Sequence, residues 1–290
     1  PLPKKESPKG EIALFTSMFL GNRHFSSTML DKFTREITRM GYNLSIHLVT
    51  KENLNNTTLP STFYKERTSA VMCIEIFNMK YMRLVESLNL PLLMVDAPAQ
   101  SYSEPLNGDL ILMENTIPIY SLIKEMKEEG ITKIGFIGQP KHCRSFFERY
   151  MAFRDAMYMY DIPIDPQFCL TDIFPHGEDY KQHLVDKLQT MKELPELFIC
   201  VNDFIALDLM FALKLKEVTI PDDIKIFGFD DTSEARIVSP TISTAHIHSQ
   251  VLGYTAARLL RERIKYPDKN SVIVHTETSL ILRESTGHAE

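Results

Sequence analysis

The sequence predicts an α/β fold built from two lobes with parallel sheets. Short apolar runs rich in β-branched residues alternate with segments of helical periodicity, and 290 residues are enough for two lobes. The apolar runs are nearly continuous, as expected for parallel strands that are covered on both faces. Strands and helices that alternate in this way form right-handed crossovers in an open parallel sheet.

The predicted strands form two series along the chain. The first series covers residues 12–15, 44–49, 70–76, 92–95 and 110–113, and the second covers 134–137, 197–201 and 224–229. Two series predict two Rossmann-like lobes. We expect the first lobe to hold residues 10–113 and 246–272, the second to hold 114–245 and 273–287, and residues 1–9 to be a linker or tail.

Helices are predicted between these strands by apolar residues at helical spacing. The three clearest sets are Met29, Phe33, Ile37 and Met40; Ile119, Leu122, Ile123 and Met126; and Ala206, Leu209, Met210 and Leu213. The first set stops at Gly41 and the second at Gly130, and a glycine just past the last turn is the usual C-terminal stop. These helices are expected to cover the faces of the sheets.

The composition argues against several classes of protein. No apolar run approaches the roughly 20 residues of a membrane span, and the first residues lack the apolar stretch of a secretory signal. A net charge of −6 is a poor match for a surface that binds phosphate backbones by itself. The four cysteines form no C-x-x-C motif, which argues against a structural zinc site and favours a reducing cytoplasm. They are Cys73, Cys143, Cys169 and Cys200.

Motifs typical of enzymes are missing from the sequence. It contains no G-x-G-x-x-G after the first strand, no phosphate-binding loop, no H-E-x-x-H and no G-x-S-x-G. His246 and His248 would share one face of a strand, but two ligands without a third are weak evidence for a metal. His142 and Cys143 lack an identifiable base and oxyanion site. We therefore expect no catalytic site, no bound metal and no cofactor.

Polar residues follow several of the predicted strands, at the edge where open parallel sheets bind ligands. The pair Asn202–Asp203 ends one strand, the pair Asp230–Asp231 ends another, and Arg149 lies near the start of a helix. Carboxylates accept hydrogen bonds from hydroxyl groups, an amide both donates and accepts, and a guanidinium donates in a fixed fork. The set therefore suits a small polyol. The structural alternative for Arg149 is a solvated or ion-paired surface position.

The residues at the strand ends also have structural interpretations. Asp203 is equally suited to cap the helix that follows it, and Asp231 or Thr232 could cap a turn. Asn202 and Asp230 look less like caps, because each occupies the last strand position before its turn. These alternatives stay open on the residues alone.

An ordered set of segments resembles the LacI/GalR family of transcriptional regulators. The segments are EIALFTS, EEGITKIGFIG, ERYMAFRDAM, FICVNDFIALDLMFALK, IPDDIKIFGFDDTSEARIVSPTISTAHI, LGYTAARLL and SLILRESTG. Together they extend from about Gly10 to Gly287 in the order and spacing of the family. The resemblance implies a periplasmic binding protein type I architecture, with two lobes joined by three chain crossings.

The same resemblance implies a function. Family members are cytoplasmic homodimers that bind a small effector, often a sugar or sugar phosphate, and thereby change their affinity for operator DNA. They bind the operator through an N-terminal helix-turn-helix headpiece, which we expect to be missing from these residues. The alternative is a solute-binding protein of the same fold that serves a sugar transport system. Neither function requires insertion into a membrane.

The resemblance also implies roles for individual residues. Arg149 matches the effector-binding arginine, Asn202 the asparagine of the N-D pair, and Asp230 the first aspartate of the G-F-D-D turn. The remaining effector contacts that it implies are Ser145 and Phe174 in the second lobe, with Phe174 a platform for one sugar face, and Ser17 and Phe19 in the first lobe.

Three departures from the family pattern concern the effector. Ala152 stands where the family usually has glycine, and Ile247 stands where glutamine is common. The loop SMFLGNRHFSS lacks the usual N-P-F/Y pattern. Because the chain has no tryptophan, a phenylalanine or tyrosine would have to stack on a sugar ring.

Overall fold

The computed structural model describes residues 9–18, 25–172 and 178–288. The chain forms two compact units, the first made of Pro1–Met113 and His248–Thr276 and the second of Glu114–Ile247 and Glu277–Glu290. The prediction of an α/β fold with parallel sheets is confirmed. Within the described part of the chain, no helix is both long and apolar enough to span a bilayer.

The strands lie close to the predicted apolar runs, with four short additions. In chain order they are β1 (Gly10–Thr16), β2 (Tyr42–Leu48), β3 (Thr68–Ile74), β4 (Leu92–Val95), β5 (Asp109–Met113), β6 (Ile134–Ile137), β7 (Cys169–Leu170), β8 (Leu197–Cys200), β9 (Lys225–Phe227), β10 (Thr244–Ile247), β11 (Ile273–Thr276) and β12 (Thr278–Ile281). The additions are β7, with two residues, and β10, β11 and β12, which contain threonine, serine or histidine, so no continuous apolar run marks them.

The helices connect these strands and cover the sheets. They are α1 (Phe25–Arg39), α2 (Lys51–Asn56), α3 (Met79–Glu86), α4 (Ile117–Glu128), α5 (Arg144–Met159), α6 (Glu178–Thr190), α7 (Asp203–Leu215), α8 (Ser233–Ile237) and α9 (Ser249–Lys265). Gly41 and Gly130 follow α1 and α4 closely with φ of +91° and +87°. Both glycines therefore end helices in the left-handed conformation, as predicted.

A six-stranded parallel sheet forms the first unit, in the order β11-β5-β4-β3-β1-β2. Every residue of β4 and β5 is buried, which explains their continuous apolar sequence. Residues 273–276 were expected in the second lobe but pair with β5 as β11, and residues 246–247 belong to the second unit. The pairing of Ile273 with Leu110 accounts for the difference at β11.

Helices α1 and α9 of the first unit pack against each other with a very short distance between their backbones. The predicted apolar face of α1 is buried at Met29, Phe33 and Ile37. A Cβ atom on Gly253 of α9 would lie 2.2 Å from the carbonyl oxygen of Met29. Glycine at position 253 therefore permits a backbone approach that a larger residue would prevent.

The second unit contains a four-stranded parallel sheet, in the order β7-β6-β8-β9, and an antiparallel pair, β10 with β12. Two isolated bridges, Phe227 with Ser243 and Asp230 with His246, connect the end of β9 to β10. The carboxyl ends of β6, β8 and β9 lie at the same edge of the parallel sheet, and α5 and α7 start just beyond it. Arg149, Asn202 and Asp230, three of the polar residues predicted to bind a ligand, lie at this edge.

Candidate functional site

Arg149 lies at the centre of this edge and is buried, with 2% of its surface exposed. Its Nε donates to Oδ1 of Asn115 at 2.8 Å, and its Nη1 donates to the carbonyl oxygen of Val201 at 2.5 Å. Its Nη2 lies 3.6 Å from Oδ1 of Asp230, and the ring of Phe229 packs under the guanidinium with its centroid 3.5 Å from Cζ. The alternative of a surface arginine is therefore wrong, because protein groups fix the guanidinium on several sides.

Asn202 and Asp203 have exchanged the roles expected from the sequence: Asn202 caps the helix, and Asp203 does not. Asn202 is the N-cap of α7, and its Oδ1 accepts from the backbone N–H of Ile205 at 3.0 Å. Asp203 is the first helical residue, and its two oxygens accept from the N–H of Thr232 and the hydroxyl of Thr244, each at 2.7 Å. The expectation that Asn202 is not a cap was wrong, because its extended backbone lets the side chain reach the first turn.

The cap uses only one end of the Asn202 amide. Among the residues that the structure describes, no group accepts a hydrogen bond from its Nδ2. The side chain is half-buried, next to the Val201 carbonyl that receives Arg149. Capping and ligand binding are therefore compatible roles for Asn202, with Nδ2 available as a donor.

The Asp203 carboxyl group is fully buried. Burial, reinforced by the negative charge of Asp230, raises the pKa of Asp203 to about 7, although the hydrogen bonds from Thr244 and Thr232 oppose the rise. An acid that titrates near neutral pH therefore lies directly behind the candidate site.

The turn that carries Asp230 has an uncommon backbone. Asp230 has φ +110° and Asp231 has φ +56°, a region that residues other than glycine seldom adopt. The N–H of Asp230 donates to the carbonyl oxygen of Ala245 at 2.9 Å, which fixes the turn to β10. Strained backbone of this kind persists only where surrounding contacts impose it, and it clusters at functional sites.

Asp231 supplies several of those contacts. Its carboxylate accepts from Arg236 Nη2 at 2.6 Å and from Arg283 Nη2 at 2.7 Å, and Nδ1 of His246 lies 2.7 Å from it. Burial opposes its ionisation, but the hydrogen bonds from Arg236 and Arg283 outweigh burial and lower the pKa of Asp231. Of the two proposed turn caps, Thr232 is the cap, since its hydroxyl accepts from the N–H of Ala235 at 3.3 Å in α8.

The other predicted contacts are distributed differently. Ser145 is buried one helical turn before Arg149 on α5, so the two side chains share a face of that helix. Ser17 belongs to the first unit, where it follows β1 and its hydroxyl donates to the carbonyl oxygen of Glu75. Phe19 and Phe174 lie outside the described residues. The structure thus brings together Ser145, Arg149, Asn202 and Asp230 in the second unit.

Four groups at the site were missed in the sequence. They are the side chains of Asn115 and Phe229, the carbonyl oxygen of Val201 and the carboxyl group of Asp203, which was not expected to be a buried acid. Asn115 follows β5 by two residues, so the strand-end rule that selected Asn202 could also have selected it. The strand-end rule concerns polar side chains, so it could not have selected the carbonyl oxygen of Val201 or the ring of Phe229.

Two further sets of groups in the described residues bear on metal binding and thiol chemistry. In the described ranges, one group of possible metal ligands occurs, formed by Glu125, Glu129 and His288. Lys225 Nζ lies 3.0 Å from Glu129 and thus supplies a cation there already. Burial raises the pKa values of three cysteines, which therefore stay as thiols. They are Cys73 in β3, Cys169 in β7 and Cys200 in β8.

Comparison with protein families gives a match to the family described as "Periplasmic binding protein-like domain", over residues 123–286. Among curated proteins, the chain is 28% identical over 215 residues to the HTH-type transcriptional repressor PurR of Histophilus somni, covering 74% of this chain and 63% of that protein. It is 29% identical over 234 residues to the HTH-type transcriptional regulator GalR of Streptococcus thermophilus, covering 79% and 68%. The chain thus spans somewhat less than two thirds of the Histophilus protein.

Solved structures share the same fold. The transcriptional regulator CelR in complex with cellobiose has a TM-score of 0.78 at 17% identity, covering 96% of this chain and 85% of that one. A LacI family regulator from Enterococcus faecium with bound ribose has a TM-score of 0.73 at 17% identity, covering 95% and 98%. CcpA of Lactococcus lactis has a TM-score of 0.78 at 15% identity, covering 96% and 99%.

Proposed function

Because the chain belongs to the family of periplasmic binding protein-like domains, we propose that it senses a small molecule for a LacI/GalR-type transcriptional regulator. The curated relatives are named transcriptional repressors and regulators, which supports ligand binding rather than catalysis. On this proposal the protein works in the cytoplasm without a cofactor. Ligand binding changes the affinity of an N-terminal headpiece for operator DNA.

One observation supports a hydroxyl-rich ligand above all. Arg149 Nη2 and Asp230 Oδ1 are 3.6 Å apart, which is an ion pair but too long for a direct hydrogen bond. A hydroxyl group beside them can accept from the guanidinium and donate to the carboxylate at the same time. Asn202 Nδ2 adds a further donor at the same sheet edge. A sugar offers several hydroxyl groups in the fixed arrangement that such a set requires.

The charge of this set favours a neutral sugar over a sugar phosphate. The positive charge of Arg149 is balanced by Asp230, and both side chains are buried. A phosphate placed here would meet the Asp230 carboxylate as well as the guanidinium. Two of the solved neighbours contain uncharged sugars, cellobiose and ribose. A solute-binding role in sugar transport stays the alternative, and the regulatory names of the relatives favour sensing.

The remaining contacts are proposed on the family resemblance alone. They are Ser17 and Phe19 in the first unit and Ser145 and Phe174 in the second. A ligand changes the population of conformations only by its differential affinity for them. Residues that contact the ligand in one conformation of the protein and not in the other would therefore determine how far binding shifts the population between the two.

A thermal-shift screen tests the proposal. A ligand that binds only the folded protein stabilises it by about 2.7 kcal/mol at a concentration of 100 Kd. We expect cellobiose, D-ribose or another neutral sugar to raise the melting temperature, and the matched sugar phosphates to raise it less. A panel of purine bases and amino acids completes the screen. Stabilisation by those compounds and by no sugar would refute the sugar proposal.

A matched pair of variants assigns the response to the site. Arg149→Lys keeps the positive charge but loses the fork that contacts Asn115 and Val201, so we expect it to abolish the sugar response. Arg154→Lys makes the same change at an exposed position of the same helix and should leave the response intact. An undiminished response in Arg149→Lys would remove Arg149 from the site.

A further inference from the structure

Asn115 is a buried polar residue in the segment between β5 and α4. It is the second residue of the second unit and has no exposed surface. An amide in such a place must find partners within the protein, because burial without hydrogen bonds is costly. Its two partners both lie on α5.

The two ends of this amide are each bonded to a charged group. Oδ1 accepts from Nε of Arg149 at 2.8 Å, and Nδ2 donates to Oε2 of Glu148 at 2.8 Å. Glu148 in turn lies 3.6 Å from Arg144, one turn earlier on the helix. Rotating the amide by 180° would place its NH2 group against the N–H of Arg149 and its oxygen against a carboxylate. The charges on both sides therefore specify a single orientation of the amide.

This orientation determines which part of the guanidinium can meet a ligand. Asn115 occupies the Nε–H, and the carbonyl oxygen of Val201 occupies one N–H of Nη1. The remaining donors of Arg149 belong to its Nη atoms, on the side of Asp230. A carboxylate or phosphate that would bind the Nε edge with two parallel hydrogen bonds finds that edge already used.

We infer that Asn115 is a positioning residue, which holds the guanidinium of Arg149 through Nε so that its Nη edge is directed at the ligand. An amide suits this role better than an acid. A carboxylate at position 115 would bring a second negative charge beside Glu148. The inference rests on the proposed function for its ligand, but the contact itself is testable without one.

The first test is an NMR measurement on the ligand-free protein. The Nε–H resonance of Arg149, assigned by its loss in Arg149→Lys, should exchange slowly with water in the wild type. We expect fast exchange in Asn115→Ala and retained protection in Asn115→Asp, which keeps an acceptor oxygen. Thr116→Ala is the matched control, because Thr116 is exposed and makes no side-chain cap bond to α4.

The second test measures binding of D-ribose and cellobiose by calorimetry. Losing one hydrogen bond to a charged group should weaken the binding of whichever sugar stabilises the wild type by roughly 10- to 100-fold. Thr116→Ala should bind as the wild type does. A merely structural role of Asn115 would lower the melting temperature but leave the affinity of the folded variant unchanged.

The outcomes separate this inference from the proposed function. If no sugar binds the wild type while Asn115→Ala exposes the Arg149 N–H, the sugar proposal fails and the positioning role stands. If the N–H stays protected in folded Asn115→Ala, the positioning role is refuted. Should Asn115→Ala fail to fold, an Arg149 N–H that exchanges rapidly in the wild type, or that loses its protection in Asn115→Asp, refutes the inference just as well.

Discussion

The buried carboxyl group of Asp203 accepts a hydrogen bond from the backbone N–H of Thr232, 2.7 Å away, and so ties the start of α7 to the turn that carries Asp230. The hydroxyl of Thr244 donates to the other oxygen of the same carboxyl group. One titratable side chain thus supports three segments of the second unit. Its protonation state should influence the stability of the fold.

Replacing Asp203 by asparagine should flatten the pH dependence of stability. The pKa of Asp203 rises from 3.8 to about 7 on folding, chiefly because of burial. Between these values the unfolded chain releases the proton while the folded protein retains it, so this group lowers the free energy of unfolding by about 1.4 kcal/mol per pH unit. The asparagine side chain has no such proton to lose, and its amide oxygen can still accept a hydrogen bond.

Urea unfolding at pH 5, 6, 7 and 8 checks this prediction. The difference in unfolding free energy between Asp203→Asn and the wild type should move in favour of the variant as the pH rises, and level off above pH 7. Asp222→Asn removes an exposed carboxyl group and serves as the control. Wild-type and Asp203→Asn curves that run parallel over this range would contradict the assignment.

Arg263 should contribute far more to stability than Arg261 on the same helix. Arg263 donates to the fully buried Asp109 from Nη2 at 2.5 Å and from Nε at 3.1 Å. Removing one partner of a buried ion pair leaves an uncompensated charge, so Arg263→Met should cost about 3–5 kcal/mol. Arg261 is exposed, and Arg261→Met should cost less than about 0.5 kcal/mol.

Chemical denaturation of both variants measures the difference. Lys269 lies 3.4 Å from Asp109 and would offset part of the loss. Adding Asp109→Asn to Arg263→Met should recover stability, because it removes the unpaired charge. Equal stabilities of the two methionine variants would show that the ion pair contributes nothing measurable.

Gly253→Ala should destabilise the first unit, although alanine is normally the better helix former by about 1 kcal/mol. The added Cβ would lie 2.2 Å from the carbonyl oxygen of Met29, so α1 and α9 would have to separate. Overpacking of this kind costs about 1–3 kcal/mol. Val251→Ala, at an exposed position of α9, is the control for a thermal melt. A raised melting temperature for Gly253→Ala would refute the close approach.

A homodimer, which the resemblance to LacI/GalR regulators implies, predicts a further result. Phe211 and Leu215, one turn apart on α7, are 51% and 56% exposed, and Ile237 at the end of α8 is 82% exposed. Exposed apolar groups of this size favour association. Phe211→Glu should therefore shift the mass measured by analytical ultracentrifugation from dimer towards monomer, whereas Asp222→Lys, at an exposed position outside α7 and α8, should not. A monomeric wild type would refute the dimer.

Most strands of the two parallel sheets could be predicted because they contain apolar runs, but the short strands β7 and β11 could not. The strand-end rule then located Arg149, Asn202 and Asp230, which the structure brings to one sheet edge. The exchange of roles between Asn202 and Asp203 could not be predicted. Both residue types are favoured caps, and the partners that hold Asp203 lie 29 and 41 residues further along the chain.

The groups that hold the Arg149 guanidinium could not be predicted from the sequence for a similar reason. An arginine on a helix with acidic neighbours is usually solvated, and only tertiary contacts bury this one. The carbonyl oxygen of Val201 is a backbone group, which every residue has, so the identity of the residue does not predict this contact. Short strands such as β10 and β12 depend on pairing with each other rather than on their own pattern.

Two consecutive aspartates with positive φ have a consequence for the kinetics of binding. The conformational cost of the Asp230–Asp231 turn is met when the protein folds, through the contacts of Asp231 with Arg283 and His246. This turn therefore has its conformation before any ligand arrives, and binding does not have to order it. On the proposed function, a ligand that binds at this turn meets a conformation formed on folding, so we expect slow structural steps during binding to originate elsewhere in the protein.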